Sequence, residues 1–110
     1  MPAPDFDDLL AQIRDGVAAL ALATVRRYAD DAIADAEAFL DQTRDKLERW
    51  TGLLADGQLT TEDVEWLVRS QASLLEMRAL KQSGLALVRV DEFRASVLNL
   101  VTDTIFGAVL

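Results

Sequence analysis

Residues 5–55 read DFDDLLAQIRDGVAALALATVRRYADDAIADAEAFLDQTRDKLERWTGLLA. Apolar or small residues recur there every three or four positions, which is the spacing of one face of an amphipathic helix. Larger side chains recur at every eleventh position, at Phe6, Val17, Tyr28, Phe39 and Trp50. No proline and no cluster of Gly, Asn and Asp interrupts residues 17–51. The pattern therefore predicts one continuous helix over about residues 5–55.

The period of this apolar stripe is about 3.7 residues, longer than the 3.5 of a heptad coiled coil. An eleven-residue (hendecad) repeat of this kind favours a straight or slightly right-handed helical superhelix. A break near Gly16 or Gly52 would produce the same drift of the stripe, and it stays open as an alternative.

The clearest local signal is the turn that follows the first helix. Ala-Asp-Gly at 55–57 supplies a glycine that can take the left-handed conformation ending a helix. Thr60 then stands as N-cap with Asp63 at N3, a variant of the capping box, while Leu59 and Val64 have the spacing of a hydrophobic staple. A second helix is expected from Thr61 to about Ser83.

Gly84 is compatible with two structures. It either ends the second helix or lies inside a helix that continues, because helical spacing persists over about residues 86–109. The continuous alternative gives a long antiparallel hairpin with arms of roughly 75 Å. A turn at Gly84 gives a three-helix bundle instead. In the favoured hairpin the following residues face each other: Trp50 and Trp66, Phe39 and Met77, Tyr28 and Val88.

Composition excludes several functional classes. The chain has 110 residues, 51% of them hydrophobic, and a net charge of −8, with neither Cys nor His. Disulfides, thiolate or imidazole catalysis and His or Cys metal sites are thereby excluded. The acidic balance argues against nucleic-acid binding. No glycine-rich phosphate loop occurs, so we expect no enzyme activity, no catalytic or metal-binding residues, no cofactor and no small-molecule substrate.

The carboxylates of the first helix are expected to form a solvated face. An oxygen-ligand metal site is the alternative, but pairing with nearby bases explains these acids more simply. Ion pairs at i, i+4 are predicted between Arg26 and Asp30, Arg27 and Asp31, and Asp45 and Arg49. An anionic partner is the alternative for Arg26 and Arg27, but pairing with Asp30 and Asp31 explains these arginines more simply.

Two antiparallel helices enclose no interior, so the hairpin predicts a partner. Leaving roughly 400 Å² of apolar surface wet forgoes about 10 kcal/mol, as much as the stability of a whole domain. We therefore expect a structural assembly protein that forms a homo-oligomer, a dimer or larger, as a helical bundle. The expected interface comprises Trp50, Trp66, Leu67, Leu74, Met77, Phe93, Val97, Leu100 and Ile105. For Trp66 and Met77, packing within the hairpin is the alternative.

Two other functions fit the same sequence. Eleven-residue periodicity is also found in apolipoproteins, lipid-droplet coats and phasins, which favours an amphipathic coat on a lipid surface, although Lys and Arg usually line such helices. An adaptor for another helical protein is the second alternative. We expect a single all-helical domain over residues 1–110. Since a signal-peptide pattern and a long uncharged apolar window are both missing, we expect a cytoplasmic location.

Overall fold

The computed structural model describes residues 5–110, and these contain five α-helices and no β-strand. One 3-10 turn, Arg26–Tyr28, follows the first helix, and another, Ala72–Leu74, follows the third. The predicted all-α class and helical bundle are confirmed. The helices are α1 Phe6–Thr24, α2 Ala29–Ala55, α3 Thr61–Ser70, α4 Arg78–Gln82 and α5 Leu87–Val109.

Helix α1 begins where the sequence indicates. The Asp5 side chain accepts a hydrogen bond from the backbone N–H of Asp7 at 3.0 Å, and Asp7 and Asp8 place negative charge in the first turn. Both features stabilise a helix N-terminus, because they satisfy a free N–H and oppose the helix dipole.

The prediction of one continuous helix over residues 5–55 is wrong. Val25 has φ −131° and ψ 38°, outside the helical region, and it separates α1 from α2. Thr24 donates its hydroxyl to the Leu20 carbonyl at 2.7 Å, and two β-branched residues in a row weaken the helix here. Gly16 and Gly52, the alternative break points, both lie inside helices.

The turn at residues 55–60 is confirmed in detail. Gly57 has φ +77°, the left-handed conformation expected of a glycine after a helix. Thr60 accepts the N–H of Asp63 at 3.1 Å, and the Asp63 carboxylate accepts the N–H of Thr60 at 3.0 Å. This reciprocal capping box fixes the first residue of α3.

The expected second helix over residues 61–83 is also interrupted. It ends at Ser70, and an irregular segment leads to Met77, which has φ +58° and is the N-cap of the short α4. Gly84 has φ +95°, so the chain turns there and does not continue as a helix. Helix α5 then agrees with the predicted third helix within one residue.

Each predicted arm is folded back on itself. Of the residues predicted to face each other across a straight hairpin, Trp66 and Val88 are 70% and 65% exposed, so they are not packed between two arms. Helices α1 and α5 do lie together, since a Cβ built on Gly16 would lie 3.0 Å from the Leu100 Cδ2 atom. Within the first arm, α1 runs antiparallel to α2, where Arg44 binds Asp7 at 2.7 Å. The structure therefore measures 45 × 23 × 19 Å, and the predicted 75 Å arms are wrong.

Folding back creates the interior that two straight helices lack. Helix α1 packs on α2 and α5, and α2 also contacts α3 and α4. One continuous core joins residues of all five helices, with Phe39 and Phe93 as its largest fully buried side chains. The buried Thr43, Thr51 and Thr102 donate their hydroxyls to carbonyls one turn earlier, so they bring no unpaired donor into the core.

Candidate interaction surface

Four of the nine predicted interface residues lie inside one chain. Met77, Phe93, Val97 and Ile105 have at most 2% of their surface exposed, and all belong to the core. The expectation that they join two copies is therefore wrong for this conformation. They pack within the chain because each arm folds back and covers the flanks that a straight hairpin would leave wet.

Three further predicted residues are half-buried. Trp50, Leu67 and Leu100 are neither sealed in the core nor fully exposed. Leu100 packs against Gly16, where the small residue lets α1 and α5 approach closely. The remaining two are exposed: Trp66 to 70% and Leu74 to 38%. These five stay a prediction as interface residues.

Trp66 is the largest apolar side chain on the surface of the described residues. It lies on α3 between Val64 and Val68, which are both fully buried, so it points away from the core. The sequence placed Trp66 and Met77 on one flank of a continuous helix. The irregular segment after Ser70 changes the direction in which the later side chains point, so Met77 lies in the core while Trp66 is exposed.

Charged side chains flank Trp66 along α3, with acids before it and a base after it. Glu62 and Asp63 lie one turn before it, at the N-terminal end of α3, and both are exposed. Arg69 lies one turn after it and pairs with Glu65 at 3.0 Å. The outer face of α3 is therefore an indole flanked by acids at one end and a base at the other.

Exposed apolar residues that the sequence reasoning missed lie elsewhere. Leu87 and Val88 at the start of α5 are 66% and 65% exposed, and Leu22 near the end of α1 is 55% exposed. The only signal in the sequence for the exposure of Leu87 and Val88 was their position just after Gly84. The first turn of a helix that begins there has no neighbouring helix to cover it. Leu22 lies off the apolar stripe of α1, and single exposed leucines are common on protein surfaces.

Some carboxylates of the first arm pair with basic side chains. Arg44 contacts Asp7, Asp45 and Glu48 at 2.7, 3.5 and 3.7 Å, and its guanidinium lies 5.4 Å from the Phe6 ring centre. The hydrogen bond to Asp7 raises the pKa of Arg44 above its ordinary value. Over residues 5–110 no group of three or more potential metal ligands is found.

The predicted ion pairs around the first break do not form. Within the part of the chain that the structure describes, neither Arg26 nor Arg27 has a carboxylate within 4 Å, and Arg49 does not reach Asp45. The 3-10 turn explains the first two, because its three residues per turn change the direction in which Arg26 and Arg27 point relative to α2. Asp45 instead contacts Arg44.

The surface has cavities at the two irregular segments. A cavity of about 460 Å³ and another of about 320 Å³ adjoin the segment before α4, and both are lined by Glu76 and Arg78, which pair with each other. A cavity of about 230 Å³ lies at the break between α1 and α2. No helix among residues 5–110 combines the length and apolarity that crossing a bilayer requires.

Comparison with known proteins gives no relative from which a function could be transferred. No protein-family model matches the chain, and neither a curated protein nor a solved structure matches it. The function must therefore be inferred from the surface and the cavities of the molecule itself.

Proposed function

We propose that this chain is a non-enzymatic helical assembly protein that pairs with a second copy of itself through the outer face of α3. The observation that carries the proposal is Trp66, whose indole is 70% exposed on a helix that is otherwise anchored in the core. Tryptophan is among the residues most enriched at the energetic centres of protein interfaces.

Covering the exposed surface of Trp66 alone contributes a substantial free energy to association. A tryptophan buries up to about 250 Å², so the wet part of Trp66 is roughly 170 Å². Covering it contributes about 4 kcal/mol per copy at 25 cal/mol per Å². A symmetric pair gains this twice, about 8 kcal/mol, which lies within the range of about 4–15 kcal/mol for the translational and rotational freedom lost on association.

The charges around Trp66 favour a copy of the same helix as the partner. In an antiparallel pair related by a two-fold axis, Glu62 of each copy lies opposite Arg69 of the other. A parallel pair would bring like charges together. Arg69 is 61% exposed and so can contact a second carboxylate besides Glu65. Self-complementarity of this kind is what a two-fold symmetric interface requires.

Helix α3 is also rigid enough to serve as a contact surface. The capping box at Thr60 and Asp63 fixes its first turn, and Val64 and Val68 anchor it in the core. A surface that is ordered before association loses little conformational entropy when the partner binds.

Sedimentation equilibrium of three proteins tests the proposal. The wild-type chain is expected at twice 12.1 kDa, and Trp66→Ala at the mass of one copy. The matched control Leu22→Ala removes a different exposed apolar side chain, on α1, and is expected to remain a dimer. A wild-type mass of one copy at micromolar concentration contradicts the proposal, and so does a Trp66→Ala variant that stays dimeric.

A charge exchange tests the orientation of the two copies. Arg69→Glu alone is expected to weaken the dimer, because it places acids on both sides of the contact. Adding Glu62→Arg restores opposite charges and is expected to restore the dimer. If the double variant is weaker than the single variant, the antiparallel arrangement is wrong. Asp63 is left unchanged in both proteins, since it caps α3.

A further inference from the structure

The break between α1 and α2 brings three arginines to one cavity. Arg26 and Arg27 belong to the 3-10 turn that follows the break, and Arg89 comes from the first turns of α5. Together with neighbouring apolar residues they line a space of about 230 Å³. The sequence separates Arg89 from the other two by more than sixty residues, and only the folding back of the arms places them together.

The positive charge of this cavity is not neutralised by neighbouring carboxylates. In the region that the structure describes, none of the three arginines forms an ion pair, and no acidic side chain lines the 230 Å³ cavity. Arg89 donates a hydrogen bond to the Thr24 carbonyl at the C-terminal end of α1. The helix dipole favours a positive charge there, so this contact explains the position of the Arg89 guanidinium. Among residues 5–110, Arg26 and Arg27 have no such partner, in a chain whose net charge is −8.

Most of the remaining wall of the cavity is apolar. Ala23, Val25, Tyr28 and Leu85 line it, together with the polar Thr24. A second cavity of about 90 Å³ adjoins it and shares Thr24, Val25 and Arg89; Glu92 lines only this smaller space. The 230 Å³ cavity is smaller than the usual range for ligand pockets, about 300–1,000 Å³. The space therefore suits a small molecule with an apolar part.

We propose that this cavity binds a small organic anion, with a short apolar body and one carboxylate or phosphate group. Guanidinium groups match the planar oxygens of such head groups and hold them by paired, charge-assisted hydrogen bonds. Arg26 and Arg27 would contact the head group, and Arg89, fixed by Thr24, would close the third side. The apolar body would lie on Val25, Tyr28 and Leu85. The molecule is bound as a ligand, and no reaction is assigned to it.

Isothermal titration calorimetry with four probes tests the chemistry. Hexanoate and hexyl phosphate carry both an apolar body and an anionic group, hexanol lacks the charge, and inorganic phosphate lacks the body. We expect one of the two amphipathic anions, or both, to bind with one site per chain, and the tighter of them identifies the head group. Hexanol and inorganic phosphate are expected to bind at least tenfold more weakly. No saturable heat with either anion, or equal binding of hexanol, overturns the proposal.

Variants of the exposed arginines locate the site. Arg26→Gln and Arg27→Gln are each expected to weaken binding by about tenfold, because each removes a charge-assisted contact. Arg49→Gln removes another exposed arginine, on α2, that forms no ion pair with the residues the structure describes. This variant is expected to bind as the wild type does. Amide chemical-shift changes in the wild type should centre on Val25 and Tyr28. Equal weakening by all three variants, or shift changes centred elsewhere, contradicts the assignment.

Discussion

Substitutions of Met77 test directly whether the second arm is interrupted. The difference in stability between two variants at this position changes sign with the backbone conformation of the residue. Its φ of +58° lies in the left-handed region, which only glycine adopts without strain. Its side chain is 1% exposed. The informative comparison is therefore between Met77→Ala and Met77→Gly, which both remove the buried thioether and leave nearly the same cavity.

The two backbones predict opposite orders of stability. In the left-handed conformation, alanine is strained by about 1–2 kcal/mol and glycine is not, while the greater freedom of glycine in the unfolded chain offsets about 0.4–1 kcal/mol of that gain. The free energy of unfolding of Met77→Gly should therefore exceed that of Met77→Ala by up to about 1.6 kcal/mol. In a continuous helix the order reverses, because glycine is less stable than alanine by about 1 kcal/mol.

Urea unfolding followed by far-UV circular dichroism measures the difference. Both variants should be less stable than the wild type by about 2–5 kcal/mol, because a buried side chain is lost. Ala34→Gly, at an exposed position inside α2, is the helical control and should cost about 1 kcal/mol. A Met77→Ala protein that is more stable than Met77→Gly by the amount seen at Ala34 would refute the left-handed backbone.

Two further predictions concern the irregular segments. Asp35 accepts the backbone N–H groups of Ala79 and Leu80 at 3.1 and 2.8 Å; Asp35→Ala should therefore lower the free energy of unfolding by about 2 kcal/mol. Asp45→Ala, whose carboxylate is exposed, should change it by less than about 0.5 kcal/mol, and equal effects of the two would contradict the capping role of Asp35. Thermal unfolding should show that Gly84→Ala lowers stability by about 1 kcal/mol because φ is +95°. Gly52→Ala, in open space on a helix, should raise it by about 0.5–1 kcal/mol, and the reverse order would argue against a turn at Gly84.

Local signals in the sequence predicted the ends of the arms and the turn between them. The capping box at Thr60 and the glycine at 57 each act through hydrogen bonds or φ values set by adjacent residues. Such features do not depend on the rest of the fold, so they can be read from the sequence.

The interruptions inside the arms could not be predicted in the same way. Thr24, at the end of α1, donates its hydroxyl to a carbonyl one turn earlier, and Ser70, the last residue of α3, makes a similar bond three residues back. Thr43 and Thr51 make the same kind of bond inside α2, where the helix continues. The bond weakens a helix without ending it. Whether the helix is interrupted is decided by the apolar area that folding back encloses, and this is a tertiary effect.

The candidate surface was predicted only in part for the same reason. The sequence showed that Trp66, Phe93 and Ile105 are apolar flanks beyond one helix–helix seam. Whether a flank meets the same chain or another depends on the break at Val25, which the apolar pattern does not reveal. Phe93 and Ile105 were consequently assigned to an interface, and the arginine cavity at the break was not recognised.

The distance between α1 and α2 tests most directly whether the first arm folds back at Val25. The chain contains no Cys, so Asp8→Cys with Asp45→Cys gives one defined pair of exposed labelling sites for spin-label distance measurement. Diluting the labelled protein with unlabelled protein leaves only distances within one chain. The folded-back arm predicts a distance within roughly 25 Å, because packed helix axes lie about 8–10 Å apart. A distance of about 55 Å, which is 37 residues at 1.5 Å each, would mean one straight helix and would contradict the account.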